Sequence, residues 1–192
     1  MSNFFRNHAN TATPKAVWTL IALNTLVFLV QSAFPRQASL ERTQLVPSDV
    51  AADPTRKWPT LVSSMFSHAN LIHLVFNSLA LYQFGRPLEA RENPWTVSLV
   101  YLLGGIGSNL IYTLLNRDSN VGLIGASGGV SAVLAAYFLA YQETGNFAQW
   151  AMFQLLGALL SSGSGISYAS HIYGSIIGAL AYLLIRKRQQ IN

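Results

Sequence analysis

The charged residues of this 192-residue chain fence off long uncharged intervals, and that spacing constrains the fold more than any other feature. Residues 16–35, 93–116 and 119–142 contain no Asp, Glu, Lys or Arg, giving runs of 20, 24 and 24. Residues 58–85 add a run of 28, and residues 144–185 a run of 42. A helix needs roughly 20 apolar residues to cross ~30 Å of hydrocarbon. Four intervals therefore hold one span each. The last holds two, divided at Ser161-Ser162-Gly163-Ser164-Gly165. The expectation is an all-α membrane protein, a six-transmembrane-helix bundle with spans at Ala16–Phe34, Ala69–Gly85, Pro94–Leu115, Val121–Tyr141, Phe147–Leu160 and Ile166–Ile185. The fifth is the shortest, and Gln149 and Gln154 interrupt it. A soluble helical domain would need charged outer faces, and none of these segments has one.

An even number of spans puts both termini on one side. With the termini cytoplasmic, Arg6, Lys15, Arg86, Arg91, Arg186, Lys187 and Arg188 lie inside, against Arg36, Arg42, Arg56, Lys57 and Arg117 outside. The sign of this bias follows the positive-inside rule. The chain divides into a short cytoplasmic N-terminal tail (1–15), a membrane domain (16–185) and a basic cytoplasmic C-terminal tail (186–192). No small-residue cleavage site follows the first span, so it is expected to be retained rather than removed as a signal peptide. The first loop, Pro35 to about Ser67, carries Trp58, Leu61, Val62, Met65 and Phe66 and is expected to lie partly in the membrane interface. The net charge of +5 concentrates beside the last span, which suits a membrane anchor rather than nucleic acid. With no cysteine, disulfides and thiolate metal sites are excluded. The location implied is a multi-pass integral membrane protein, placed in a bacterial inner membrane.

Spans two, four and six run in the same direction, and they carry the reactive polar groups. The second has His68, His73 and Asn77, the fourth has Ser127, and the sixth has His171. Ionisable groups within a span suggest a functional site. At 1.5 Å per residue, Ser127 lies ~9 Å below the outer end of its span and His171 ~7–8 Å below the end of its own. His171, Gly174 and Gly178 share one stripe at i, i+3, i+7, and Ser127, Ser131 and Ala135 make a small-residue stripe at i, i+4, i+8. Small residues let membrane helices approach closely, which would bring His171 toward Ser127. His73 and Asn77, four apart, project together, whereas His68 points elsewhere.

Acyl transfer needs an activated hydroxyl, a base and donors for the oxyanion. Ser127 supplies the nucleophile, His171 the general base, and the His73/Asn77 pair the donors. No Asp or Glu lies inside a span, so a dyad fits better than a triad. Bland readings exist for each residue alone. A serine in a membrane helix packs or bonds back to its own helix, and a lone histidine can relay protons. Gly125-Ala126-Ser127-Gly128-Gly129 also fits the nucleophile elbow of lipase-like hydrolases. That fold needs an acid between serine and histidine, and the only one there, Glu143, lies at the wrong membrane face. A metalloprotease would need H-E-x-x-H, and the spacing of His68 and His73 is wrong for one helical face. No metal, nucleotide or other cofactor is implied. A small transporter would carry a mid-membrane charge or a broken helix.

Three motifs together resemble the rhomboid family: Gly125-Ala126-Ser127-Gly128 looks like its G-x-S-G nucleophile motif, and His171 to Gly178 looks like its H-x-x-G-x-x-x-G base motif. Phe66-Ser67-His68 followed by His73 and Asn77 resembles its second-span pattern. The resemblance extends from the first span to the last. It implies an intramembrane serine endopeptidase that cleaves transmembrane segments of other proteins, working in the lipid bilayer without metal, nucleotide or nucleic acid. It further implies that the Ser127 backbone amide and the His73 and Asn77 side chains hold the oxyanion. His68, Gly125, Gly128, Gly174 and Gly178 would be structural, and the Gly-Ser run after the fifth span would form a mobile cap. Two positions depart from the family pattern. Trp58 precedes Pro59 instead of arginine, and Ser131 stands where an aromatic residue commonly packs on the base. The alternative is a catalytically inactive rhomboid-like protein that binds membrane clients. Such relatives are expected to lose the serine or the histidine, and both are present here.

Overall fold

A computed structural model of the chain describes residues 13–142, 145, 146, 148–150, 152 and 167–189. In chain order these form α1 (Lys15–Ser32), α2 (Arg36–Thr43), α3 (Pro47–Ala52), α4 (Pro54–Lys57), α5 (Thr60–Ser63), α6 (Leu71–Ala80), α7 (Arg86–Arg91), α8 (Pro94–Leu115), α9 (Ser127–Tyr141) and α10 (Tyr168–Gln189). A 3-10 turn at Ser64–Phe66 follows α5, and a π-helical turn at Leu81–Gly85 joins α6 to α7. Among the described residues the one β feature is an isolated antiparallel bridge between Leu45 and Leu123.

The chain starts its helices where the sequence provides caps. Asn70 accepts from the His73 amide at 2.8 Å and opens α6, and Asn93 accepts from the Thr96 amide at 2.9 Å and opens α8 with Pro94 in its first turn. The end of α9 is a left-handed Gln142, φ 58°, whose amide turns back to Leu139 and Phe138. The start of α1 has no side-chain cap of its own. Instead Glu89, only 6% exposed, reaches across from α7 and accepts from the Ala16 and Val17 amides, both at 3.0 Å. Two orphan amides and the positive end of the helix dipole are thereby satisfied from another element.

At the centre stands α9, buried from Gly128 to Phe138 and packed against α8 and α10, which also pack on each other. Backbones meet here through small residues. A Cβ at Gly174 would strike the Gly128 carbonyl, one at Gly178 would strike Ala132, and one at Gly104 would strike Ala132 from the other side. The seam on α9 is thus Gly128 and Ala132, one residue round from the expected Ser131 and Ala135 stripe. Ser131 still joins it through its carbonyl, which accepts from Ser175 Oγ at 3.2 Å.

Among the described residues three helices, α1, α8 and α10, are long and apolar enough to cross a membrane, and α9 is apolar but shorter. Their outward faces are apolar too, with Leu29, Leu114 and Leu184 among the exposed side chains, as expected where lipid is the solvent. The chain is therefore an all-α, membrane-associated, multi-pass helical protein with at least three apolar spans. Two boundaries differ from the sequence reading. Residues 121–126 are not the start of the fourth helix but a non-helical segment, pinned by the Leu45–Leu123 bridge and turning at Gly125 and Ala126, so α9 begins at Ser127 itself. The second span starts at Leu71 rather than Ala69 and runs α-helical to Ala80, then as a π turn to its expected end at Gly85. The first loop is more ordered than a surface connection: its Met65 is buried in the core against Gly105. The expected fifth span and the Gly-Ser run fall largely outside the described residues.

The Glu89 cap makes a measurable claim. Glu89→Ala should destabilise the protein by about 2 kcal/mol, the range of a lost N-cap plus its dipole contact. Thermal unfolding in detergent measures this, and Glu89→Gln, which keeps one acceptor, should lose less.

Candidate active site

Three helix starts converge on one cavity. Ser127 is the first residue of α9, His73 lies in the first turn of α6 with Asn77 one turn on, and His171 lies in the first turn of α10. All four line a cavity of about 710 Å³, walled also by Phe76 and Trp150. These are the four residues that the sequence singled out inside its spans. The depth argument from the sequence is replaced, since a non-helical segment leads to Ser127.

The loop before Ser127 explains why glycine stands at 125. Its φ is +126°, and a Cβ there would lie 2.6 Å from His73 Cε1 and 2.8 Å from Nε2. The imidazole therefore rests against the bare Gly125 backbone. The Gly125 amide donates to the Ser64 carbonyl at 2.9 Å. Ser64 Oγ accepts from Asn109 Nδ2 at 3.0 Å, and the same amide donates to Leu61 O at 2.8 Å. Asn109 thus ties the first loop to α8, and the Ser64 carbonyl ties that loop to the Ser127 loop. Sequence reasoning passed over both Ser64 and Asn109; the available signal was an asparagine inside an otherwise apolar span.

Because Ser127 opens α9 behind Ala126, which gives no side-chain cap, its amide is among those a helix cannot satisfy internally. The first intrahelical bond runs from Val130 N to Ala126 O at 2.9 Å. The Ala69 amide lies 3.5 Å from His73 Nδ1, which assigns that nitrogen as acceptor and the ring proton to Nε2, the side facing Gly125. Asn77, 7% exposed, donates one Nδ2 hydrogen to the His73 carbonyl at 2.9 Å; a carboxamide carries a second.

His68 does not line the cavity. It is buried, its Nδ1 lies 3.2 Å from the Phe66 carbonyl, and its ring meets His73 edge-on at 5.2 Å. His68 precedes α6, so the helical-face argument that turned it away from His73 does not apply; it backs His73 from behind.

The start of α10 is fixed by a chain of hydroxyls. Ser108 Oγ donates to Ser170 O at 2.7 Å, and Ser175 Oγ donates to His171 O at 2.9 Å as well as reaching Ser131 O. The aromatic partner missing at Ser131 is supplied from α10 itself: the Tyr168 ring stands edge-on to His171 with centroids 5.9 Å apart. The Ser127 hydroxyl, two imidazoles, the Asn77 carboxamide and a helix-terminal amide thus share one cavity, with no carboxylate among the described residues of its wall. That set is chemically equipped for acyl transfer.

An all-α membrane-spanning bundle with a serine- and histidine-lined cavity at its helix starts is the class that fold and site define together. The Rhomboid domain matches residues 55–188, and the chain belongs to the rhomboid family. It is similar to Rhomboid protease AarA of Providencia stuartii, 26% identical over 90% of this chain and 74% of that protein. It is also similar to Rhomboid-related protein 2 of Mus musculus, 28% identical over 91% of this chain and 65% of that one. With RHOMBOID-like protein 12, mitochondrial, of Arabidopsis thaliana it shares 24% identity over 88% of this chain and 57% of the relative. The chain thus spans less than two thirds of the latter two.

Gly174→Ala tests the seam beneath the site. Its Cβ meets the Gly128 backbone, which cannot swing aside as a side chain could. The variant should lose about 1–3 kcal/mol of stability, the range for overpacking, with Ser127 and His171 moved apart. Thermal unfolding measures the loss, and a variant with unchanged stability would show that α9 and α10 do not pack this closely.

Proposed function

We propose that the chain is an intramembrane serine endopeptidase that cleaves transmembrane segments of other membrane proteins. The single observation carrying this reading is the convergence of Ser127, His171, His73 and Asn77 on one cavity. His171 takes the Ser127 proton as Oγ attacks the scissile carbonyl. The resulting oxyanion accepts from the Ser127 amide, His73 Nε2–H and Asn77 Nδ2–H. The tetrahedral adduct collapses, the amine leaves with the proton from His171, and an acyl-enzyme remains. Water, deprotonated by His171, then releases the acid and regenerates the hydroxyl. In this proposal the catalytic domain is residues 16–185, with six spans and both termini cytoplasmic, in a bacterial inner membrane. The 1–15 and 186–192 tails flank it. The name of the Providencia relative, a protease, supports the same reading.

Ser127→Ala and His171→Ala should each abolish cleavage of a single-span substrate in liposomes while leaving thermal stability nearly unchanged. The double variant should be no worse, since nucleophile and base act as a unit. His73→Ala or Asn77→Ala should lower kcat by on the order of 10–10³-fold with little change in KM, because one oxyanion donor goes and others stay. A loss confined to KM would make these residues substrate contacts. Full cleavage by Ser127→Ala would end the assignment of Ser127 as nucleophile, and no cleavage by the wild type would leave client binding as the surviving role.

The scissile bond must also leave its helix, where its own hydrogen bonds shield it. Substrates should carry Gly, Pro or polar helix-breakers just beyond the cut, and a poly-leucine span should resist. Mass spectrometry of products, with the breaker moved one turn at a time, reads this directly. Efficient cleavage without any breaker would contradict it.

A further inference from the structure

A second concavity lies away from the serine cavity, between α1 and the second span. It is a groove of about 360 Å³ lined by Trp18, Ile21 and Thr25 on one side and by Val75, Leu79 and Tyr82 on the other. The Thr25 hydroxyl bonds back to Ile21 O at 2.8 Å, which leaves its methyl group to the groove. Ser78 and Tyr82 bring the other hydroxyls of the lining.

The groove is apolar along its length and basic at one end. Trp18 and Tyr82 meet there with ring centroids 5.4 Å apart. One turn beyond Tyr82, Arg86 Nη1 donates to the Tyr82 hydroxyl at 3.5 Å, with the guanidinium 5.8 Å from the ring centre. Lys15 precedes Trp18 by three residues and shares its side of α1. The neighbouring acid, Glu89, directs both oxygens to the Ala16 and Val17 amides. Further along, Arg91 and Glu92 pair with each other at 3.6 Å and engage Tyr141 and Tyr182.

We propose that this groove binds one anionic phospholipid, with an acyl chain along the apolar walls and the phosphate at Lys15 and Arg86. Length supports the fit. From Lys15 to Thr25 the helix rises ~15 Å, half of the ~30 Å hydrocarbon core, so the groove matches a single leaflet. Trp and Tyr sit where amphipathic rings gather, at the headgroup boundary, with cations just beyond them. A substrate helix is the wrong occupant: its ~10–12 Å diameter exceeds a slot formed between two helices in contact. The proposal rests on the apolar, membrane-associated character of these helices and not on the protease reading.

Tryptophan quenching tests it. The full chain is reconstituted in phosphatidylcholine vesicles, and brominated-chain phosphatidylglycerol or brominated phosphatidylcholine is titrated in. The Trp18 contribution is the difference between wild type and Trp18→Phe, which removes signal from Trp58, Trp95 and Trp150. Each cation near the surface contributes on the order of fivefold in lipid affinity. With two cations, half-quenching of Trp18 should therefore need about 25-fold less of the anionic lipid than of the zwitterionic one. Lys15→Gln combined with Arg86→Gln should erase that difference. Val75→Phe, which fills the groove without touching either cation, should reduce the Trp18 quenching by both lipids, and it decides the matter if the charge variant fails to fold. Equal quenching by the two lipids in wild type, or a difference that survives both variants, would overturn the proposal.

Discussion

The contact on which the rest of this structure depends is the close approach of α9 to its neighbours. Gly128 and Ala132 on α9 meet Gly174 and Gly178 on α10, and Gly104 on α8 meets Ala132. In lipid there is no hydrophobic drive to bring helices together, so packing and backbone proximity must do it. Absent side chains let the helix backbones touch, and the hydroxyls of Ser108 and Ser175 then bond to carbonyls across the seams. Because Ser127 and His171 lie one turn or less from this contact, the seam that holds the bundle also sets their separation.

Among the described residues no carboxylate lines the cavity, and the two imidazoles are held by other contacts. Tyr168 stands edge-on to His171, and the turn that carries both is tied to α8 through Ser170. Across the cavity, the Asn70 cap and the Ala69 amide hold His73, and Gly125 gives its ring room. The first loop, through Ser64 and Asn109, braces the Gly125 turn. An element that looks like a connection is part of the site's support, which accounts for its apolar Met65 and its burial.

Much of this was legible in the sequence for a physical reason: lipid tolerates so few polar groups that each one inside a span stands out. Uncharged intervals located α8 at its observed bounds and α1 and the start of α10 to within a few residues. The same rarity picked out His73, Asn77, Ser127 and His171 without any geometry. What stayed hidden depends on backbone conformation. The non-helical 121–126 segment is as apolar as a helix would be, and only the Leu45 bridge and the Gly125 dihedral distinguish it. The seam residue was misjudged by one position because the adjacent Ser127–Ser131–Ala135 and Gly128–Ala132–Ala136 stripes of α9 are both small. Nothing in the sequence singles out Glu89, whose partners are the amides of a helix about 70 residues earlier. Non-local pairing of this kind leaves no periodic trace.

The central claim is that Ser127 is a nucleophile made so by His171, in a membrane-embedded cavity. The most direct measurement is covalent labelling of the reconstituted chain with a fluorophosphonate, followed by mass spectrometry of the modified peptide. A serine activated as proposed is labelled at Ser127 alone, and His171→Ala abolishes the label while the protein remains folded. Labelling spread over Ser131, Ser170 and other hydroxyls, or a Ser127 label undiminished in His171→Ala, would contradict the account.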